Sequence, residues 1–205
     1  EIPTRFPDID LVVVRETSED IYSGMEHQVA EGVFEAVKIT TRAACERIAR
    51  FAYEYAIAHG RKQVSIVHKS NIMKRSDGLF LRTAQAIGAE YASQIETREV
   101  IVDALCMHLV RDPTQFDVLL TGNLFGDIVS DLCSGLGGGI CTSPSISQGA
   151  DIHMFENPHG RAPELTGTGA ANPLPMLQAG LHMLSHLGET EAVQRIQGAI
   201  SSALR

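Results

Sequence analysis

Three short apolar runs punctuate the chain: residues 10 to 14 (Asp-Leu-Val-Val-Val), Val64 to Val67 and Phe116 to Leu120. Each is strand-length, and its apolar residues fall on neighbouring as well as alternate positions, the pattern of strands covered on both faces. Helical periodicity lies between them. From Thr41 to His59 the residues Ala44, Ile48, Phe51, Ala52, Tyr55 and Ala56 recur at three- and four-residue steps, and Gly60 follows as a stop. Two more helical segments are predicted at 174–187 and 189–204, and Val33 to Ile39 reads as a hairpin or an edge strand. Strands alternating with helices predict an α/β fold with parallel pairing in at least part of its sheet. The Gly-rich stretch from Gly135 to Ser145 is a candidate hinge or domain boundary, and Glu156 to Pro173 is a long loop of the kind that carries function. Neither Gly-x-Gly-x-x-Gly nor a Walker loop occurs, so any nucleotide must be held by another device.

Composition narrows the class. With 205 residues, 44% of them hydrophobic, the chain can bury a sizeable core. A net charge of −8 opposes nucleic acid or an anionic membrane as partner and leaves small-molecule chemistry. No apolar run approaches the ~20 residues that span a bilayer. The start, Glu1-Ile-Pro-Thr-Arg-Phe-Pro7, has no signal-peptide pattern and no initiating Met, so an upstream segment is expected. Cys45, Cys106, Cys133 and Cys141 form no Cys-x-x-Cys pair and adjoin apolar segments, which reads as reduced, buried thiols and not as a zinc site. A cytoplasmic protein is expected, or a mitochondrial-matrix one in a eukaryote.

Candidate chemistry gathers where strands end. Asp127 and Asp131 sit one helical turn apart just beyond the Phe116–Leu120 run, with Asp103 upstream. Like charges at i,i+4 repel, so a cation between them would relieve the pair; alone, the pattern is usually just a solvated helix face. Hard oxygen donors without a His or Cys cluster suit Mg²⁺ or Mn²⁺. Arg15 leaves the first strand into Glu16-Thr-Ser-Glu-Asp-Ile-Tyr22, either a capping turn or a group that meets a carboxylate with Tyr22 as nearby proton donor. Lys69 follows the second strand, either as a snorkelling surface charge or, beside a metal, as a general base. His182 and His186 share a helix face without a zincin pattern and read as ordinary helix residues.

Taken in order, Ser18-Glu-Asp-Ile-Tyr-Ser-Gly-Met-Glu-His27, His68-Lys-Ser-Asn-Ile-Met-Lys74, Ser76-Asp-Gly-Leu-Phe80 and the loop 156–172 resemble the metal-dependent β-decarboxylating dehydrogenases, the family of isocitrate, isopropylmalate and homoisocitrate dehydrogenases. The likeness is greatest to NAD-linked isocitrate dehydrogenase. It implies a three-layer α/β fold with a small domain at 1–136, holding the dimerisation region and the metal and catalytic residues, and part of a large cofactor domain at 137–205. It implies Mg²⁺ or Mn²⁺ on Asp127 and Asp131, joined by Asp103 from the neighbouring subunit of a homodimer or higher oligomer. Lys69 would help remove the substrate's hydroxyl proton, Tyr22 would protonate the enolate carbon, and Arg15 would grip a substrate carboxylate. Asn71 would lie near the nicotinamide, with His159, Gly160 and Asn172 toward the adenosine. Glu164 would accept from ribose hydroxyls and repel a 2′-phosphate, implying NAD. Pro158 and Arg161 depart from the family's usual loop. The segments that the family carries before and after this region imply a fragment with an incomplete large domain, inactive alone. Within the family, homoisocitrate or isopropylmalate dehydrogenase and a non-catalytic regulatory or assembly subunit are the rivals; the retention of Tyr22, Lys69 and the three aspartates favours a catalytic lineage.

Overall fold

The computed structural model describes residues 4–140 and 143–204, which leaves Cys141 outside the described residues. Arg5–Leu136 form one compact unit, and the chain beyond Leu136, grouped with Thr4, forms a second. The first unit runs through β1 (Val12–Arg15), β2 (Glu26–Ala30), β3 (Val33–Ala36), α1 (Arg42–Ala58), β4 (Gln63–His68), α2 (Ser76–Glu90), β5 (Glu96–Ile101), α3 (Val102–Arg111), β6 (Val118–Thr121) and α4 (Asn123–Leu136).

Four of these strands make one sheet in the order β1-β6-β4-β5, every pair parallel. Helices cover both faces. Val14, Val64, Ile66, Val118 and Leu120 meet Ala49, Ala52, Tyr53 and Ala56 of α1 and Phe80, Ala84 and Ile87 of α2. On the other face Val67 and Leu119 meet Leu105 and Leu109 of α3 and Val129 of α4. The expected α/β architecture is therefore present as helix, sheet and helix in three layers. Alanines on the buried face of α1 let its axis approach the sheet, and Thr41 caps the helix by accepting from the Ala44 N–H at 3.2 Å. The strand predicted at 10–14 starts at Val12, because Asp10 turns outward to Arg61, which also clasps Asp117 before β6. That guanidinium ties two strands together at the amino end of the sheet.

β2 and β3 resolve the alternative left open for Val33 to Ile39: they form an antiparallel hairpin outside the main sheet. Every residue of the pair is exposed, including Phe34 at 71%. Cys45 is buried, whereas Cys106 and Cys133 are only half-buried; all three are free thiols.

The second unit contains the hairpin β7 (Ser145–Gln148) and β8 (His153–Glu156), then the loop, α5 (Leu174–His186) and α6 (Thr190–Ala203). α5 packs on β8 and α6, with the His186 and His153 rings 4.3 Å apart. Among the described residues no helix is long and apolar enough to cross a membrane.

Candidate active site

Parallel pairing brings the carboxyl ends of all four strands to one edge, and the polar segments after them collect there. Arg15 closes β1. Its guanidinium donates through Nε and Nη2 to Asn123 Oδ1 at 3.0 and 2.7 Å, and through Nη1 to Asp127 Oδ1 at 2.5 Å. Gly126 makes the approach possible, since a Cβ there would run into Arg15's aliphatic stem and the Thr121 hydroxyl. Tyr22 stands on a single 3-10 turn, Ile21–Ser23, and donates its hydroxyl to Asp127 Oδ2 at 2.5 Å, with the Arg15 guanidinium 5.3 Å from its ring centre. The hydrogen bond to the Asp127 carboxylate holds the Tyr22 phenol above its ordinary pKa of 10.0, so it keeps its proton throughout the neutral range.

Arg15, Tyr22 and Asp127 thus form one cluster. The repulsion read from the Asp127 and Asp131 spacing is met in this chain first by Arg15, which neutralises Asp127. Asp131, one turn further along α4, is exposed and has no hydrogen-bond or ion-pair partner among the described residues.

Lys69 and Asp103 form a second group on the neighbouring strand pair. Lys69 follows β4 and its ammonium ion-pairs with Asp103, in the first turn of α3 after β5. That bond holds the Asp103 carboxyl below the usual carboxylate range. Asn71 lies exposed on the same post-β4 turn. Behind it His68 is buried, and its Nδ1 accepts the Ser70 N–H at 3.1 Å, which fixes the ring proton on Nε2. Among the described residues no three His, Cys, Asp or Glu side chains are grouped closely enough to hold a metal, so Asp103 does not join Asp127 and Asp131 within one chain. The donors themselves are all carboxylate oxygens, and two of them stand one turn apart on an exposed helix face. That is a set fit for Mg²⁺ or Mn²⁺ with further oxygen ligands.

The loop residues lie in the second unit. His159 Nδ1 is 3.0 Å from the Gly160 carbonyl; Glu164 lies exposed in a 3-10 turn at Pro163–Leu165. Ala162 precedes that turn with φ 39°, a left-handed conformation unusual for a residue with a Cβ. Asn172 lies just before the Pro173 N-cap of α5, and its Oδ1 accepts the Leu174 N–H at 3.0 Å.

Two participants escaped the sequence reading. Asn123, buried at the start of α4, accepts from Arg15 and donates to the Glu19 carbonyl at 2.9 Å. Glu16, also buried, receives the Ser18 and Glu19 N–H groups and so shapes the turn that carries Tyr22. Asn123 lies in Thr121-Gly122-Asn123, directly after the third apolar run, and that position is its signal in the sequence.

The isocitrate/isopropylmalate dehydrogenase family model matches residues 2–205. The chain belongs to this family. The mitochondrial NAD isocitrate dehydrogenase catalytic subunit 6 of Arabidopsis thaliana is 46% identical over 202 residues, covering 98% of this chain and 54% of the relative. The chloroplastic 3-isopropylmalate dehydrogenase of Solanum tuberosum is 46% identical over 198 residues, 96% of this chain and 55% of the relative. Among solved structures, isocitrate dehydrogenase from Methylococcus capsulatus superposes with a TM-score of 0.92 at 44% identity, over 97% of this chain and 60% of that one. This family member therefore spans a little over half the length of the curated relatives it matches.

Proposed function

We propose that the protein to which these residues belong oxidises and decarboxylates isocitrate with NAD and a divalent metal, giving 2-oxoglutarate and CO₂. One observation carries the reading. A single sheet edge presents Arg15, Tyr22 and Asp127 as one cluster and Lys69 with Asp103 as another, the acid, base, cation and carboxylates that such a reaction needs. Family membership supports it.

Asp127 and Asp131 would hold the metal, with Asp103 supplied by a second copy because its own chain keeps it apart from them. When bound, Mg²⁺ or Mn²⁺ supplies Lewis acidity that favours negative charge on the substrate's hydroxyl and carbonyl oxygen. Lys69, as the neutral amine left when Asp103 turns to the metal, takes the hydroxyl proton as hydride passes to NAD. Arg15 exchanges its single Nη1 contact with Asp127 for a substrate carboxylate, which a guanidinium can grip through two parallel N–H bonds. Tyr22 returns a proton to the carbon left by CO₂. His159, Gly160, Asn71 and Asn172 contact the cofactor.

The exposed β2–β3 hairpin supports a homodimer. A lone two-stranded ribbon is marginal in water, and this one displays Met25, Val29, Val33 and Phe34.

The test is turnover by the full-length protein with Mn²⁺ and NAD, offering isocitrate, isopropylmalate and homoisocitrate in turn. The highest kcat/KM is expected with isocitrate, lost on chelation. The likeness to an isopropylmalate dehydrogenase makes that substrate the second reading, and a higher kcat/KM with isopropylmalate would establish it in place of the first. Glu164→Lys should shift the NAD-to-NADP ratio of kcat/KM toward NADP by about tenfold or more, since it exchanges a charge that repels a 2′-phosphate for one that attracts it. An unchanged ratio would remove Glu164 from cofactor choice.

A further inference from the structure

Beneath the sheet edge, a small pocket lined by Asp20, Lys38, Asp77, Asn123 and Phe125 contains a charge network that none of the proposed chemistry uses. Lys38 follows the β2–β3 hairpin, far in sequence from every motif residue except Tyr22. Its ammonium is 2.7 Å from Asp77 Oδ1 and 3.5 Å from Asp20 Oδ2, and 5.1 Å from the ring centre of Phe125. The three charged side chains are all withdrawn from solvent, at 18% exposure for Lys38, 3% for Asp20 and 5% for Asp77.

Each carboxylate also holds backbone that leads to a proposed catalytic group. Asp77 Oδ2 accepts the N–H of Lys69 itself at 2.6 Å. Asp20 Oδ1 accepts the Ile21 N–H at 2.8 Å and so starts the turn that bears Tyr22; its Oδ2 accepts the Leu124 N–H at 3.2 Å in the first turn of α4, which bears Asp127. Asp20 does this with φ 83°, a conformation costly for a non-glycine residue and kept only where its contacts overdetermine it. Its own N–H donates to the Ile39 carbonyl at 3.0 Å, next to Lys38. Phe125 lies on α4 between Asn123 and Asp127.

We propose that Lys38 is a positioning residue that locks the Tyr22 turn, the Lys69 backbone and the start of α4 into one frame through Asp20, Asp77 and Phe125. Two buried carboxylates facing one cation are each fixed in direction by it; without the cation they repel, and the three segments are free to part. The role rests on the function proposed above, in which Tyr22 and Lys69 move protons. A displacement of about 1 Å of either group from the atom it serves costs roughly a hundredfold in rate.

The test uses the full-length protein and two readouts, kinetics and amide hydrogen exchange. Lys38→Met should lower kcat by about a hundredfold with KM for NAD unchanged. It should also speed exchange at Ile21, Lys69 and Leu124 together. The double variant Lys38→Met with Asp77→Asn keeps the net charge of the pocket and guards against a single variant that does not fold. It should recover thermal stability yet leave kcat low, and Lys38→Arg should recover part of kcat. If the double variant restores kcat along with stability, or if faster exchange is confined to the neighbourhood of residue 38, Lys38 serves the fold alone and the proposal falls. Should the wild-type protein turn over none of the three acids, the functional reading fails, while coupled exchange at the three amides would still support the frame.

Discussion

His68 shows how one side chain sets the geometry of a proposed catalytic turn. Burial holds its imidazole below the ordinary value of 6.5, and its neutral Nδ1 is the acceptor for the N–H of Ser70, directly after Lys69. Because the folded pKa is depressed, the unfolded chain takes up the proton first. Stability from this group is present above pH 6.5 and declines as pH falls from there toward the lower folded value. The urea midpoint should therefore fall on acidification below 6.5, and His68→Gln should flatten that part of the profile; an equal slope in both proteins would remove His68 as the cause. At this scale the sequence was partly legible. Arg15 and Lys69 are legible because each follows a buried strand as a charge, Tyr22 because it lies in the polar turn after Arg15, and Asp127 and Asp131 because of their one-turn spacing. Lys38, Asp20 and Asp77 did not, since three charges spread over nearly sixty residues look like solvated surface until the fold brings them together in a pocket.

Among the elements, the central strands and α1 were readable and β5 was not. β4 and β6 are buried at every position, so their apolar runs dominate the pattern. β5, Glu96-Thr-Arg-Glu-Val-Ile101, is an edge strand with four exposed positions, and its charges hide it from a search for buried strands. The sequence of the β2–β3 hairpin is ambiguous between hairpin and edge strand because its apolar residues have no covering layer among the described residues. If a second copy covers them, Phe34→Asp should shift the full-length protein toward monomer in sedimentation velocity and lower activity in parallel, leaving the helical circular dichroism signal intact. An unchanged sedimentation coefficient would assign the hairpin another partner.

For the whole molecule, the separation of Asp103 and Lys69 from Asp127 and Asp131 has a genetic test. In a dimer with shared sites, Lys69, ion-paired with Asp103, would travel with it to the partner's site; Lys69→Met and Asp127→Asn then fail for opposite reasons, one by what it gives its partner and one by what it keeps. Each variant alone should be inactive. Mixed by refolding, they form hybrid dimers in which one site has all its residues, and about a quarter of wild-type activity should return. No recovery would mean that each chain builds its own site. The three-layer fold was legible from strand and helix alternation, whereas the strand order was not, because which strand lies in the middle depends on contacts far apart in sequence.

That order has a consequence for how the chain is made. β6 sits between β1 and β4, with Val118 paired to both Val12 and Val64. Among the described residues, β1 gains its partner in this sheet only when synthesis passes residue 121, and β4 keeps one open edge until then, so closure of these four strands waits for the last of them. Such non-local closure makes folding slow and leaves sticky edges exposed on the ribosome. A translational pause placed before β6 should therefore raise aggregation, and one placed after α4 should relieve it.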